Sequence, residues 1–184
     1  RETCMERDDF EIVEVIYDVI QQDGLAVFGF ARGTPAPAGM DGHGDSQLLA
    51  SLVKRRTGRS LESHVKERLF EPLGIRRYDW WRTPDGNATA GWGLFLTLPD
   101  LAKLGELMCA RGSWRGQRIL EPSWVDAMTT KASAGNALYD YGFQWWILRR
   151  GPQPAYAALG AYGGHRTAVA VIPSRRMVVA VSGD

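Results

Sequence analysis

Two stretches repeat the Ser-x-x-Lys spacing, Ser51-Leu52-Val53-Lys54 and Ser63-His64-Val65-Lys66. On a helix that spacing sets a lysine amine beside a serine hydroxyl, where it can take the hydroxyl proton for nucleophilic attack. Both lie midway along amphipathic segments whose solvated faces ordinarily carry Ser and Lys, and that plain reading is preferred for each. Asp41, His43 and Asp45 alternate in a glycine-rich run. Carboxylate and imidazole groups suit hard or borderline cations, but the other histidines, His64 and His165, are far away in sequence, so an ordinary loop with no metal or other cofactor is expected. Gly160-Ala161-Tyr162-Gly163-Gly164-His165 precedes an apolar run. Glycines at the start of a strand let a ligand approach the backbone, and strand N–H groups can serve an oxyanion; a plain bend with a packed tyrosine is the alternative. Trp80, Trp81, Trp145 and Trp146 either fill a core or wall a substrate pocket.

The elements that must position these residues read as helices first and strands last. Phe10, Ile12, Val13, Ile16, Val19 and Ile20 draw the apolar face of a helix ended by Gly24, and Leu25 to Ala31 form a short buried strand. Prolines and glycines make Arg32 to Gly44 a loop. Asp45 can cap a helix reaching Thr57-Gly58, and Ser60 can cap another that runs to Phe70, before Pro72 and Gly74. Tyr78 to Trp92, with Pro84 and Asp85-Gly86, reads as an ordered loop tied down by aromatics, leading into a strand Gly93 to Leu96. Thr97-Leu98-Pro99-Asp100 resembles a capping box for a helix closed by Gly112, and Pro122 suits the first turn of the next. Tyr141 to Ile147, Arg166 to Ile172 and Met177 to Ser182 are strand-like, the last two flanking a turn at Pro173-Ser174-Arg175-Arg176. This order predicts an α+β layout in one domain spanning 1–184.

Composition narrows the function classes. The chain has 184 residues, 45% hydrophobic and 23% charged, with 22 Lys plus Arg against 21 Asp plus Glu. That profile is globular, and at this length a core needs no metal or disulfide staple. A net charge of +1 and the lack of a basic stripe exclude a nucleic-acid partner. No apolar run approaches the ~18 residues of a membrane span. Cys4 and Cys109 are far apart, with no Cys-x-x-Cys pair, and are expected as free thiols. The compartment is left open.

Five blocks in order resemble the serine β-lactamase-like superfamily, in the branch of class C β-lactamases, D-Ala-D-Ala carboxypeptidases, family VIII esterases and 6-aminohexanoate-oligomer hydrolases. They are Ser46-Gln47-Leu48-Leu49-Ala50 through Arg55 to Ser60; Leu69-Phe70-Glu71-Pro72-Leu73-Gly74-Ile75; Gly91-Trp92-Gly93-Leu94 with Thr97 to Gly105; Tyr141-Gly142-Phe143-Gln144-Trp145-Trp146; and Tyr162-Gly163-Gly164. The resemblance covers about 41–183. It implies a β-lactamase/transpeptidase-like fold, an antiparallel sheet packed with helices, incomplete in this chain. It further implies hydrolysis of a small-molecule ester or amide through an acyl-serine intermediate. By the same resemblance Asp41 and His43 line the proton-transfer side, while Tyr162, Gly163, Gly164 and His165 flank the substrate, with the His165 N–H as an oxyanion donor.

Departures from the family pattern are as informative. The nucleophile and its lysine belong well before the second motif, and nothing among residues 1–40 supplies them. Asp41-Gly42-His43 replaces the tyrosine-containing second motif, and Tyr162-Gly163-Gly164 replaces Lys-Thr-Gly. The expectation is therefore the C-terminal part of a hydrolase, inactive alone, that pairs with its missing N-terminal part or a second copy. A degenerate homologue acting as a non-catalytic binding module, or one piece of a two-chain assembly, are the alternatives.

Overall fold

The computed structural model describes residues 43–90, 93–132, 139–149, 154–162 and 165–183. The expected N-terminal helix, the strand Leu25 to Ala31 and the loop from Arg32 up to residue 42 lie outside that set. Helix α1 (His43–Thr57) begins three residues earlier than a cap at Asp45 would set, so Asp45 sits in its first turn rather than capping it.

Ser60 caps α2 (Leu61–Val65), its hydroxyl accepting from the Ser63 N–H. The helix continues through a π-helical turn (Lys66–Phe70) into α3 (Glu71–Leu73) and stops at Gly74, φ 66°. Sequence reading ends this helix at Phe70, because Pro72 has no N–H to donate. The π-helical turn moves the bonding register, Glu71 N–H to the Lys66 carbonyl, and lets the chain coil one turn past the point where proline would break a strict α-helix.

Tyr78 to Trp92 is less loop-like than expected. Strand β1 (Tyr78–Trp80) pairs antiparallel with β2 (Leu94–Leu96), and the intervening reversal is bridged at Arg82 and Ala88. Trp80 is buried and its indole N–H donates to the Thr89 carbonyl at 2.7 Å. A three-residue strand interrupted by polar side chains carries no legible period-2 signal; the pairing with β2 and bonds within the reversal, Trp81 N–H to the Gly93 carbonyl and Thr89 N–H to the Trp81 carbonyl among them, hold the segment.

Thr97 caps α4 (Leu98–Cys109), accepting from the Asp100 N–H; such a cap is typically worth about 1 kcal/mol. Past its end Gly112, φ 83°, donates to the Leu107 carbonyl at 2.8 Å, the left-handed closure only glycine adopts without cost. A small hairpin, β3 (Ser113–Trp114) with β4 (Gln117–Arg118), occupies what reads as a plain connection, and α5 (Pro122–Met128) starts on its proline as expected.

The chain then forms a five-stranded antiparallel sheet in the order β5 (Tyr139–Tyr141), β6 (Trp146–Leu148), β7 (Ala155–Tyr162), β8 (His165–Ile172), β9 (Met177–Gly183). Two expectations need correcting. Tyr141 to Ile147 is not one strand but a reversal between two, because Gly142 lies against the Met128 carbonyl where no side chain fits. Strand β7 was not expected at all: its Ala- and Gly-rich run has low strand propensity, yet it pairs on both sides.

Helix α4 lies on β8 and β9. Met108, Val125, Trp145, Tyr156, Val169 and Val171 form the core between sheet and helices, and Phe70, Leu73, Ile75, Trp80 and Leu107 form a second core on the opposite side of α4. Each such side chain contributes about 1.5–3 kcal/mol by burial. The helix seats on the sheet at Gly105: a Cβ there would stand 2.7 Å from Val169 Cγ2 and closer still to Val178 Cγ1. Substituting Gly105→Ala therefore over-packs the helix–sheet seam and should cost about 1–3 kcal/mol, read as a lower urea midpoint at unchanged m-value.

Candidate functional site

The polarity of α4 on the sheet follows from what its two ends meet. Its C-terminal Cys109 lies close enough to Arg176, in the β8–β9 turn, to feel its charge, and close to Tyr156. Gly105 rests on Val169 and Val178. The first turn of α4 therefore points toward the other end of the sheet, where Thr167 and Ser182 stand opposite each other with hydroxyls 3.5 Å apart and where β7 turns into β8.

That first turn is rigidly held. Asp100 is buried; it accepts from the Thr97 hydroxyl at 2.8 Å and from Lys103 Nζ at 2.6 Å, and Lys103 also donates to the Gly74 carbonyl at 3.3 Å. The bond from Lys103, outweighing the opposing effect of burial, holds the Asp100 carboxyl below its ordinary range. The start of α4 is thus tied to the end of α3.

At the hairpin tip Tyr162, the last residue of β7, stands opposite His165, the first of β8. Gly163 and Gly164, between them, lie outside the described residues. A connection of two residues is closed by a pair that exchanges main-chain hydrogen bonds, and bonded pairs then alternate along an antiparallel ladder. Tyr162, Gly160, Ala158 and Tyr156 accordingly turn their main-chain groups toward β8, whereas Ala155, Ala157, Leu159 and Ala161 turn theirs the other way. Strand β6 pairs only as far as Ala157, opposite Trp146. Among the described residues no strand covers the remainder of that edge, so Leu159 and Ala161 carry outward-facing N–H and C=O groups about 6.8 Å apart.

Beside this open edge sits the β5–β6 reversal, Gly142 to Trp145. It is clamped by Gly142 N–H to the Trp145 carbonyl at 2.8 Å and Phe143 N–H to the Met128 carbonyl at 3.1 Å. Gln144 adopts a left-handed φ of 66°, unusual for a residue with a side chain.

Of the residues singled out from sequence, Tyr162 and His165 come together. Asp41 lies outside the described set, as do Gly163 and Gly164; His43 is the first residue of α1. Trp80 and Trp145 are core, Trp145 edge-on to Tyr156, and Trp146 is half-buried between Tyr139 and Tyr141. Trp81 is half-buried against Phe95, 5.6 Å between centroids. Burial raises the Tyr141 hydroxyl to about 12 and pushes that of Tyr156 up as well, so neither is poised to take a proton. Ser51 and Ser63 are exposed, as are Lys54 and Lys66; the Ser63 hydroxyl receives the Ser60 hydroxyl at 3.0 Å at the helix cap. Among the described residues no three His, Cys, Asp or Glu side chains converge on a metal-sized site, and no helix is long and apolar enough to cross a membrane. The open edge of β7 was missed because alanines and glycine carry no chemical signal of their own.

The family model described as Beta-lactamase matches residues 43–182. Similar solved structures include a protein from Bacillus anthracis assigned as a 6-aminohexanoate-dimer hydrolase, at TM-score 0.66 and 24% identity over 98% of this chain and 49% of that one. The octameric penicillin-binding protein homologue from Pyrococcus abyssi is similar at TM-score 0.62 and 20% identity, over 74% of this chain and 36% of its own. EstCE1, a hydrolase with promiscuous acyltransferase activity, is similar at TM-score 0.59 and 15% identity, over 73% and 48%. The chain thus spans between about a third and a half of the length of these structures. No curated protein matches it.

Ser51→Ala and Ser63→Ala should each change stability by less than about 0.5 kcal/mol, and a fluorophosphonate should label neither serine; an adduct mapped to one of them would reverse the assignment. Asp100 titrates lower folded than unfolded, so its contribution is present above the unfolded value of about 3.9 and is lost as pH falls through the folded one. Urea midpoints followed from pH 7 to pH 3 should drop more steeply for the wild type than for Asp100→Asn.

Proposed function

The chain belongs to the beta-lactamase family, and on that footing we propose that it is the substrate-binding part of a serine hydrolase that opens an ester or amide through an acyl-serine intermediate. The nucleophile comes from a Ser-x-x-Lys segment that is not among these residues. The observation that carries the reading is the open edge of β7 beside the hairpin tip. Its outward N–H groups at Leu159 and Ala161 are where a developing oxyanion would be met, and one such donor typically accounts for ~3–4 kcal/mol of transition-state stabilisation. Hairpin pairing engages the His165 N–H with Tyr162, which favours Leu159 and Ala161 over His165 as donors. Tyr162, Gly163, Gly164 and His165 are then proposed to border the substrate rather than to donate, and Asp41 and His43 to stand on the proton-transfer side.

A non-catalytic binding module is the second reading, favoured by Asp41-Gly42-His43 standing where the family has its tyrosine motif. Labelling the parent protein with a fluorophosphonate separates the two: a covalent adduct on a serine upstream of this chain supports the hydrolase, and an unlabelled, folded parent supports the module.

Substrate charge follows from the same edge. Ala158, Leu159, Gly160 and Ala161 bring no ammonium, and Tyr162 stands where a β-lactamase has its lysine. A charged hydrogen bond is typically worth 1.5–3 kcal/mol, so the parent should turn over p-nitrophenyl butyrate at least about tenfold faster than benzylpenicillin in kcat/KM. Faster penicillin hydrolysis would place a cation, Arg166 for example, on the substrate carboxylate.

A further inference from the structure

We propose that Trp124, Phe143 and Gln144 form a specificity wall beside the open edge of β7, selecting substrates whose group on that side of the scissile bond is uncharged and aromatic. The proposal rests on the hydrolase reading for the reaction, and on the following geometry for the binding.

The β5–β6 reversal begins where β6 stops covering β7. Trp146 is the last residue of β6 to pair with β7, opposite Ala157; from there, among the described residues, β7 is paired only with β8, while the chain of β6 turns back through Trp145, Gln144, Phe143 and Gly142. That four-residue turn therefore adjoins the β7 backbone where it continues past Ala157. It displays Phe143, 47% exposed, stacked on Trp124, 54% exposed, with ring centroids 6.2 Å apart and planes 21° from parallel.

Two large rings left this open to water are costly unless they meet an apolar surface, and these two are held out rather than left loose. Phe143 is tethered through its N–H to Met128, Gly142 is pressed against the Met128 carbonyl so closely that no Cβ fits, and the adjacent Gln144 keeps a strained left-handed backbone. Strain retained beside a candidate site is a mark of a constrained binding element. Parallel rings offer a flat face to a planar group, and the edge residues Ala158 to Ala161 add no charge. A neutral aryl group is the ligand chemistry that fits both.

The test is a fluorescence and NMR titration of the chain with N-methylphenylacetamide against N-methylacetamide. Phenyl should be preferred over methyl by at least about tenfold, and Phe143→Ala and Trp124→Ala should each reduce that preference about tenfold, with Phe143→Leu intermediate and urea midpoints showing that all three fold. In the parent, the ratio of kcat/KM for phenylacetyl over acetyl esters should fall in step. A wild type that does not distinguish phenyl from methyl, or a preference untouched by Phe143→Ala, overturns the proposal. A parent inert toward every ester that still binds the phenyl amide through Phe143 supports the wall and removes the hydrolase reading instead.

Discussion

The arrangement turns on one close approach, α4 against the last two strands at Gly105. A helix with side chains on every face would stand off the sheet; with hydrogen at this position it settles against Val169 and Val178. Close seating lets a single helix serve two cores. Leu101 and Met108 join the sheet-side cluster, and Leu104 and Leu107 join the one built from α2, α3 and the β1–β2 hairpin. Were α4 to shift, both cores would lose their shared wall. The direction of its first turn, toward the end of the sheet where β7 meets β8, would be lost with it.

From that seam outward the molecule grows more open. Around α4 the packing is dense, with Val171 wholly buried and Leu107 and Val169 nearly so. Toward the hairpin tip β6 has ended, and among the described residues no strand pairs with the outer edge of β7 beyond Ala157. Main-chain donors already fixed by a ladder cost no reorganisation when a partner reaches them. Strands left open are also a liability for self-association. Here the β5–β6 reversal beside the opening is itself clamped to Met128.

Ion pairs play a smaller part. Asp140 accepts from Arg149 and is met by Lys131 at 3.1 Å, holding its carboxyl down to about 2; Arg82 meets Glu62 at 2.8 Å and Arg111 meets Asp126 at 2.6 Å. These fasten loops to neighbouring elements at an exposed surface, where such pairs contribute little to stability. The Asp100–Lys103 pair differs because it is largely sheltered and linked to the end of another helix.

Residue types alone determined the family, the α+β order and most helix boundaries: Ser60 and Thr97 are caps by virtue of their own side chains, and Pro122 opens a helix through its fixed φ. The β8–β9 hairpin was equally legible, because β-branched runs flank a turn-forming tetrapeptide. What only tertiary structure decided were the features whose energy comes from distant partners. Strand β7 exists because β6 and β8 pair with it, not because alanine and glycine prefer extended backbone. β1 exists because β2 pairs with it and Trp80 is buried against the second core. The open edge at Leu159 and Ala161 depends on where β6 happens to end, and the exposure of Phe143 on a glycine pressed against Met128. No local pattern encodes these, since each is a relation between segments whose spacing along the chain carries no periodic signal.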